Sequence, residues 1–107
     1  MSGYKSMWLF AMFDLPVKTD KDKKRYRQFR KVLLNEGFSM LQYSVYAQYC
    51  SSEDSSNVLR KHVEKRLPKY GHVRLLSVTN KQFSKMKVFC GKTRKETEKP
   101  PEQLLLF

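Results

Sequence analysis

The chain of 107 residues is the length of one domain, and its 22 Lys and Arg against 10 Asp and Glu leave a formal net charge of +12. Such an excess speaks to partners rather than to fold, so a polyanion is expected, with a merely soluble or ribosomal-type basic protein as the bland alternative. Met7 to Phe13 is far too short an apolar run to span a bilayer, and no n-region, h-region and cleavage pattern opens the sequence; a cytoplasmic protein is expected, with nucleic acid and no membrane as its partner.

The first predicted element is the strand MWLFAMFD, Met7 to Asp14, apolar on both alternating faces as in a central strand covered on both sides. Leu15-Pro16 stops its pairing. Thr19-Asp20-Lys21-Asp22 reads as a capping-box-like start of a helix running to about Glu36, where Gly37 supplies the stop. Its apolar stripe is Tyr26, Phe29, Val32 and Leu33, with Lys24, Arg27 and Lys31 opposite. Phe38 to Tyr49 reads as two strands joined tightly near Gln42. Ser51 to Asn57 reads as a turn, with Glu53 and Asp54 as cap residues. A second helix follows to about Leu67, burying Val58, Leu59 and Val63, and Pro68 ends it. His72 to Thr79 is the next strand, Asn80 to Lys85 one helical turn, and Met86 to Cys90 a short strand. Gly91 to Pro101 is charged and Pro-bounded, a linker leading to the apolar tip Leu104, Leu105, Leu106 and Phe107.

This order is α+β and ferredoxin-like, β-α-β-β-α-β with a short extra C-terminal strand. Residues 1–90 form the domain, and 91–107 form a linker and apolar tail that docks on a partner chain. Two helices cover only one face of such a sheet. Trp8, Phe10 and Met12 share one side of the first strand, while Leu9, Ala11 and Phe13 share the other. The uncovered face, with Phe10 in it, is expected to be closed by a two-fold homodimer. Cys50 and Cys90 form no CxxC pair and read as buried, reduced thiols.

Asp14 is the first candidate for chemistry. A carboxylate ending a strand commonly caps the turn that follows. It is also a hard oxygen ligand, and a two-fold axis near it would bring two such carboxylates together around Mg²⁺ or Mn²⁺. Such an ion could polarise a phosphoryl oxygen and lower the pKa of a bound water. Asp20 and Asp22 complement a helix dipole, and Glu64 reads as solvated. Ser44 and Tyr46 could orient a water or touch phosphate, although strand residues of these types are more often structural. His62, placed toward the buried side of the second helix, and His72, at a strand start, read as structural before they read as general bases. No Ser-His-Asp set and no Gly-rich phosphate loop is present. Lys18, Lys21, Lys24, Arg27 and Lys31 crowd the first loop and helix with few acids beside them, and are the expected phosphate contacts. No exposed stacking aromatics of the RNA-recognition-motif kind are evident, so binding should follow shape and backbone.

The series FAMFDLP (Phe10 to Pro16), RYRQFRKVLLNEGF (Arg25 to Phe38), QYSVYAQ (Gln42 to Gln48) and LLSVTNKQFSKM (Leu75 to Met86) covers most of the chain in order. It resembles the CRISPR-associated small ferredoxin-like adaptation protein, the non-integrase partner in spacer acquisition, in the branch found beside large single-protein effectors. The resemblance implies a homodimer with one strand-end Asp per subunit facing its mate, here Asp14. It also implies a Mg²⁺-dependent phosphodiesterase, commonly an endoribonuclease and sometimes acting on duplex DNA. It implies further a scaffold role beside an integrase subunit, in which the dimer holds captured duplex and nuclease chemistry is dispensable. The family's C-terminal segment tends to add a strand across the dimer or toward the integrase, a use that Leu104 to Phe107 fits. Three readings stand at this point: a metal-dependent nuclease acting on single-stranded RNA or duplex DNA, a non-catalytic DNA scaffold, and a toxin-type ribonuclease of similar fold.

Overall fold

The computed structural model describes residues 5–101, so Leu104, Leu105, Leu106 and Phe107 lie outside the described residues. The elements are β1 (Met7–Asp14), α1 (Asp20–Asn35), β2 (Ser39–Gln42), β3 (Val45–Cys50), α2 (Glu53–Glu64), β4 (His72–Thr79), α3 (Asn80–Ser84), β5 (Val88–Cys90) and β6 (Thr93–Lys95). The main sheet has the order β2-β3-β1-β4 with every neighbouring pair antiparallel. This is the ferredoxin-like arrangement expected, with β1 in the centre.

Local chemistry accounts for the first half. Thr19 accepts from the Asp22 amide while Asp22 accepts from the Thr19 amide, a complete capping box that sets where α1 begins. Gly37, at φ 95, turns the chain out of the helix. The β2–β3 connection is tight, as expected, and places Ser44 at φ 63. Odd residues of β1 face the helices: Leu9, Ala11 and Phe13 pack with Leu15, Phe29, Leu33, Phe38, Tyr46 and Val63. Even residues face the other way, where Trp8 stacks on Phe83 at 4.0 Å and donates to Asn80 Oδ1 at 2.8 Å.

Six expectations are corrected. The second helix begins at Glu53 behind the N-cap Ser52, so Glu53 and Asp54 lie in its first turn, and it ends at Glu64 rather than near Leu67. Val58 is 54% exposed, because the buried stripe runs Ser56, Leu59, Val63. Ser56 is small enough for close approach to the sheet, and its hydroxyl is satisfied by Ser77 at 2.8 Å. His62 lies on the solvent side, with Nδ1 3.5 Å from Glu36 Oε2. Cys90 is exposed, whereas Cys50 is buried as expected. Within the stretch read as linker, Thr93–Lys95 pairs with β5 across a two-residue Gly91-Lys92 turn, Gly91 standing at φ 63. Finally, the face opposite α1 and α2 is not bare: α3 lays Phe83 over Trp8 and Phe10. Leu76, the β4 neighbour of Phe10 on that face, remains 51% exposed.

Candidate functional site

Asp14 is the last residue of β1 and is exposed. Strand alternation puts it on the face of Trp8, Phe10 and Met12. Its partner across β4 is His72, and Met12 pairs with Arg74 one step inward, so both basic side chains share that face. Met12, Phe13, Asp14, His72 and Arg74 line a shallow cavity of about 200 Å³. Neither His72 nor Arg74 was singled out from the sequence as a neighbour of Asp14. The signal was available in the lengths: β1 and β4 are both eight residues, and an in-register antiparallel pair sets the last residue of one against the first of the other.

Gly71 fixes that alignment. It stands at φ 89, and a Cβ added there would lie 2.5 Å from the Asp14 carbonyl oxygen and 2.7 Å from Leu15 Cδ2. Only glycine lets the chain entering β4 approach the end of β1 so closely. On the opposite flank the Ser44 carbonyl accepts from the Phe13 amide at 3.1 Å. The Ser44 and Tyr26 hydroxyls share a hydrogen bond of 3.2 Å. Ser44 therefore holds the turn beside Asp14. Tyr46 sits elsewhere: it is 1% exposed in the helix-side core, and its hydroxyl accepts from Arg30 Nε at 2.8 Å. The Tyr26 hydroxyl beside Tyr43 pushes that phenol above the ordinary tyrosine range, so Tyr43 is neutral at physiological pH.

Lys18, Lys21, Lys24, Arg27 and Lys31 are all exposed. Phe29 and Leu33 point α1 at the core, which leaves Lys21, Lys24, Arg27 and Lys31 along its outer side, over about 15 Å of helix. Among the described residues the ion pairs are Asp22–Arg25 and Glu96–Lys99, and Glu36 lies against His62, so this row has no carboxylate partner. Its positive charge is available to an external anion.

No cluster of three or more His, Cys, Asp or Glu side chains that could hold a metal occurs among the described residues. The donor set at the sheet end is the Asp14 carboxylate. That fits a hard cation of the Mg²⁺ type, which keeps several waters and is bound through one or two carboxylates; it does not fit a site built wholly by one chain. No helix among the described residues is long and apolar enough to cross a membrane.

The family model described as CRISPR associated protein Cas2 matches residues 7–86, which contain the whole four-stranded sheet and α3. The chain belongs to the Cas2 family. A protein of Flavobacterium psychrophilum named CRISPR-associated endoribonuclease Cas2 is 42% identical over 107 residues, all of this chain and 93% of the relative. Relatives of the same name from Parvibaculum lavamentivorans and Ligilactobacillus salivarius are 48% and 43% identical over 101 residues, 94% of this chain and the full length of each. The Cas2 match thus agrees with the series of motifs that first suggested the family, and the first of these relatives extends it through the β5–β6 hairpin.

Proposed function

We propose that this Cas2-family chain is a homodimeric subunit of CRISPR adaptation that holds nucleic-acid backbone on its basic surface. We propose further that Asp14 serves a Mg²⁺- or Mn²⁺-dependent phosphodiester hydrolysis of the endoribonuclease type. The observation that carries the reading is the placement of Asp14: an exposed carboxylate at the end of the central strand, on the face away from α1 and α2, bordered by His72 and Arg74. A two-fold copy closing that face over Phe10 and the half-exposed Leu76 would bring a second Asp14 toward the first. A divalent cation held between the two carboxylates would supply charge to a phosphoryl oxygen and acidify an attacking water. Arg74 then places positive charge beside the phosphate, and His72 is positioned to carry a proton to or from the oxygen of the broken P–O bond. The relatives named endoribonuclease support the nuclease activity itself. Lys18, Lys21, Lys24, Arg27 and Lys31 contact backbone phosphates, and Leu104 to Phe107 engage the partner protomer or the integrase subunit.

A non-catalytic scaffold is favoured by one observation, the lone carboxylate that each chain brings to the site. One experiment separates the two. Purified protein and Asp14→Ala are incubated with labelled single-stranded RNA and duplex DNA, with Mg²⁺, with Mn²⁺ and with EDTA. Cleavage that needs the ion and disappears in Asp14→Ala, with binding retained, is expected. Cleavage surviving in rigorously purified Asp14→Ala removes Asp14 from the assignment, and no cleavage by the unaltered protein leaves the scaffold role alone.

A further inference from the structure

Two exposed tyrosines stand in the turns that flank the end of β1, both against α1 and so toward the helix side of the sheet, whereas the Asp14 side chain faces away from it. Tyr43 occupies the β2–β3 turn and is 74% exposed; Tyr70 precedes the first turn into β4 and is 50% exposed. Each is next to a residue in backbone contact with the end of β1. Ser44 accepts from the Phe13 amide, and Gly71 lies against the Asp14 carbonyl. Because β3 and β4 flank β1, the two turns are two strand spacings apart, about 10 Å.

A single exposed aromatic is ordinary surface. These two differ in being braced on one side by adjacent residues of α1. The Tyr26 ring lies near-parallel to Tyr43, with centroids 5.8 Å apart and planes at 17°. The Arg25 guanidinium carbon sits 4.9 Å from the centre of the Tyr70 ring, and Lys69 Nζ is 5.7 Å from it. Bracing restrains a ring's orientation while leaving much of it to solvent. The backbone beneath Tyr43 is restrained as well. Ser44 is the non-glycine residue with positive φ among the described residues, a conformation that persists where surrounding bonds over-determine it. Here those bonds are the ones to Phe13 and Tyr26.

We propose that Tyr43 and Tyr70 are stacking platforms for the unpaired bases of a single-stranded nucleic acid, one in each turn beside the end of β1. An unpaired base can lie on either ring, whereas bases of a duplex are already stacked and paired and cannot. Tyr43 is neutral and does not repel the strand, and Arg25 and Lys69 set positive charge beside Tyr70 for the backbone. The platforms discriminate single strands from duplex at the sheet end, while the outer row of α1 serves either. Stacking does not read the sugar, so RNA and DNA single strands use them alike. The proposal rests on the reading of the sheet end as a nucleic-acid site.

The test is fluorescence anisotropy on the full chain in EDTA, with labelled oligouridylate, oligodeoxythymidylate and a duplex of arbitrary sequence as probes. Tyr43→Ala and Tyr70→Ala are each expected to weaken both single-strand probes by about 5- to 150-fold and to leave duplex affinity nearly unchanged. Tyr43→Phe and Tyr70→Phe retain the ring and should bind as the unaltered protein does. Alanine variants that keep single-strand affinity overturn the proposal, as do variants that lose single-strand and duplex binding equally. Phenylalanine variants as weak as alanine assign the effect to the hydroxyl and overturn stacking. Alanine variants that retain single-strand affinity but sediment as smaller species assign the tyrosines to a protein contact and overturn it too. A parallel cleavage assay with Mg²⁺ keeps the two readings separable. Tyrosine-dependent binding without cleavage sinks the nuclease assignment and leaves the platforms, and cleavage with tyrosine-independent binding does the reverse.

Discussion

Replacing Gly71 by alanine tests whether the Asp14 strand end is built as described. Two costs combine. Gly71 is at φ 89, where an L side chain is strained, at about 1–2 kcal/mol. The new Cβ would also stand 2.5 Å from the Asp14 carbonyl oxygen and 3.0 Å from Leu15 Cα, both backbone atoms, so the chain itself must move; overpacking of this kind costs about 1–3 kcal/mol. The expected loss is about 2–5 kcal/mol, which lowers Tm by on the order of 10 °C or more for a domain of this size. Gly91→Ala is the internal control. Its φ is 63, but nothing lies within 4 Å of an added Cβ, so the backbone cost stands alone, about 1–2 kcal/mol. Thermal and urea unfolding of both variants should be compared at one protein concentration, because self-association shifts apparent stability. The Asp14-dependent reaction should fall more in folded Gly71→Ala than in Gly91→Ala, since the displaced atoms include the Asp14 backbone. If Gly71→Ala is no less stable than Gly91→Ala, the close approach of the two strand ends is wrong, and the pairing of Asp14 with His72 falls with it.

Duplex affinity should drop steeply with salt and hardly respond to sequence; with about six phosphates neutralised, log K against log salt should have a slope near −5, and Lys24→Ala, Arg27→Ala or Lys31→Ala should each flatten it by about 0.9 if α1 lies on the duplex. Leu76→Asp should leave the monomer folded and weaken self-association in sedimentation, since Leu76 is half exposed on the open face; Phe10→Asp should also destabilise the fold, because Phe10 packs on Phe83 at 5.5 Å. An unchanged sedimentation coefficient for Leu76→Asp would place the homodimer contact elsewhere. Burial pushes the Cys50 thiol up, whereas Cys90 is exposed, so a thiol reagent at mildly alkaline pH should label Cys90 first and Cys50 only as the protein opens. The sign follows: Cys50 binds its proton more tightly folded than unfolded, so its contribution to stability is present below the ordinary thiol pKa and is lost as pH rises through the raised one. Equal labelling rates for the two thiols would contradict this.

Elements whose cause is local were legible in the order of residues. An unbroken apolar run ending at Asp14-Leu15-Pro16 makes β1, the Thr19/Asp22 box and Gly37 bound α1, and His72 to Thr79 forms β4 over the residues expected. The alternation of Trp8, Phe10 and Met12 against Leu9, Ala11 and Phe13 likewise divides the two faces as read. Period and capping act within a few residues, and the family series extends that legibility to the order of elements. Tertiary structure alone decided what depends on distance between elements. Val58 lies outside and Ser56 inside because the stripe of α2 is set by how close that helix comes to the sheet. Tyr46 left the candidate surface for the core because its position in β3 faces the helices, where Arg30 reaches its hydroxyl. His72 and Arg74 border Asp14, and Tyr43 and Tyr70 flank the end of β1 on the α1 side, only through strand register and two tight turns, and register is a property of paired chains that no single segment encodes.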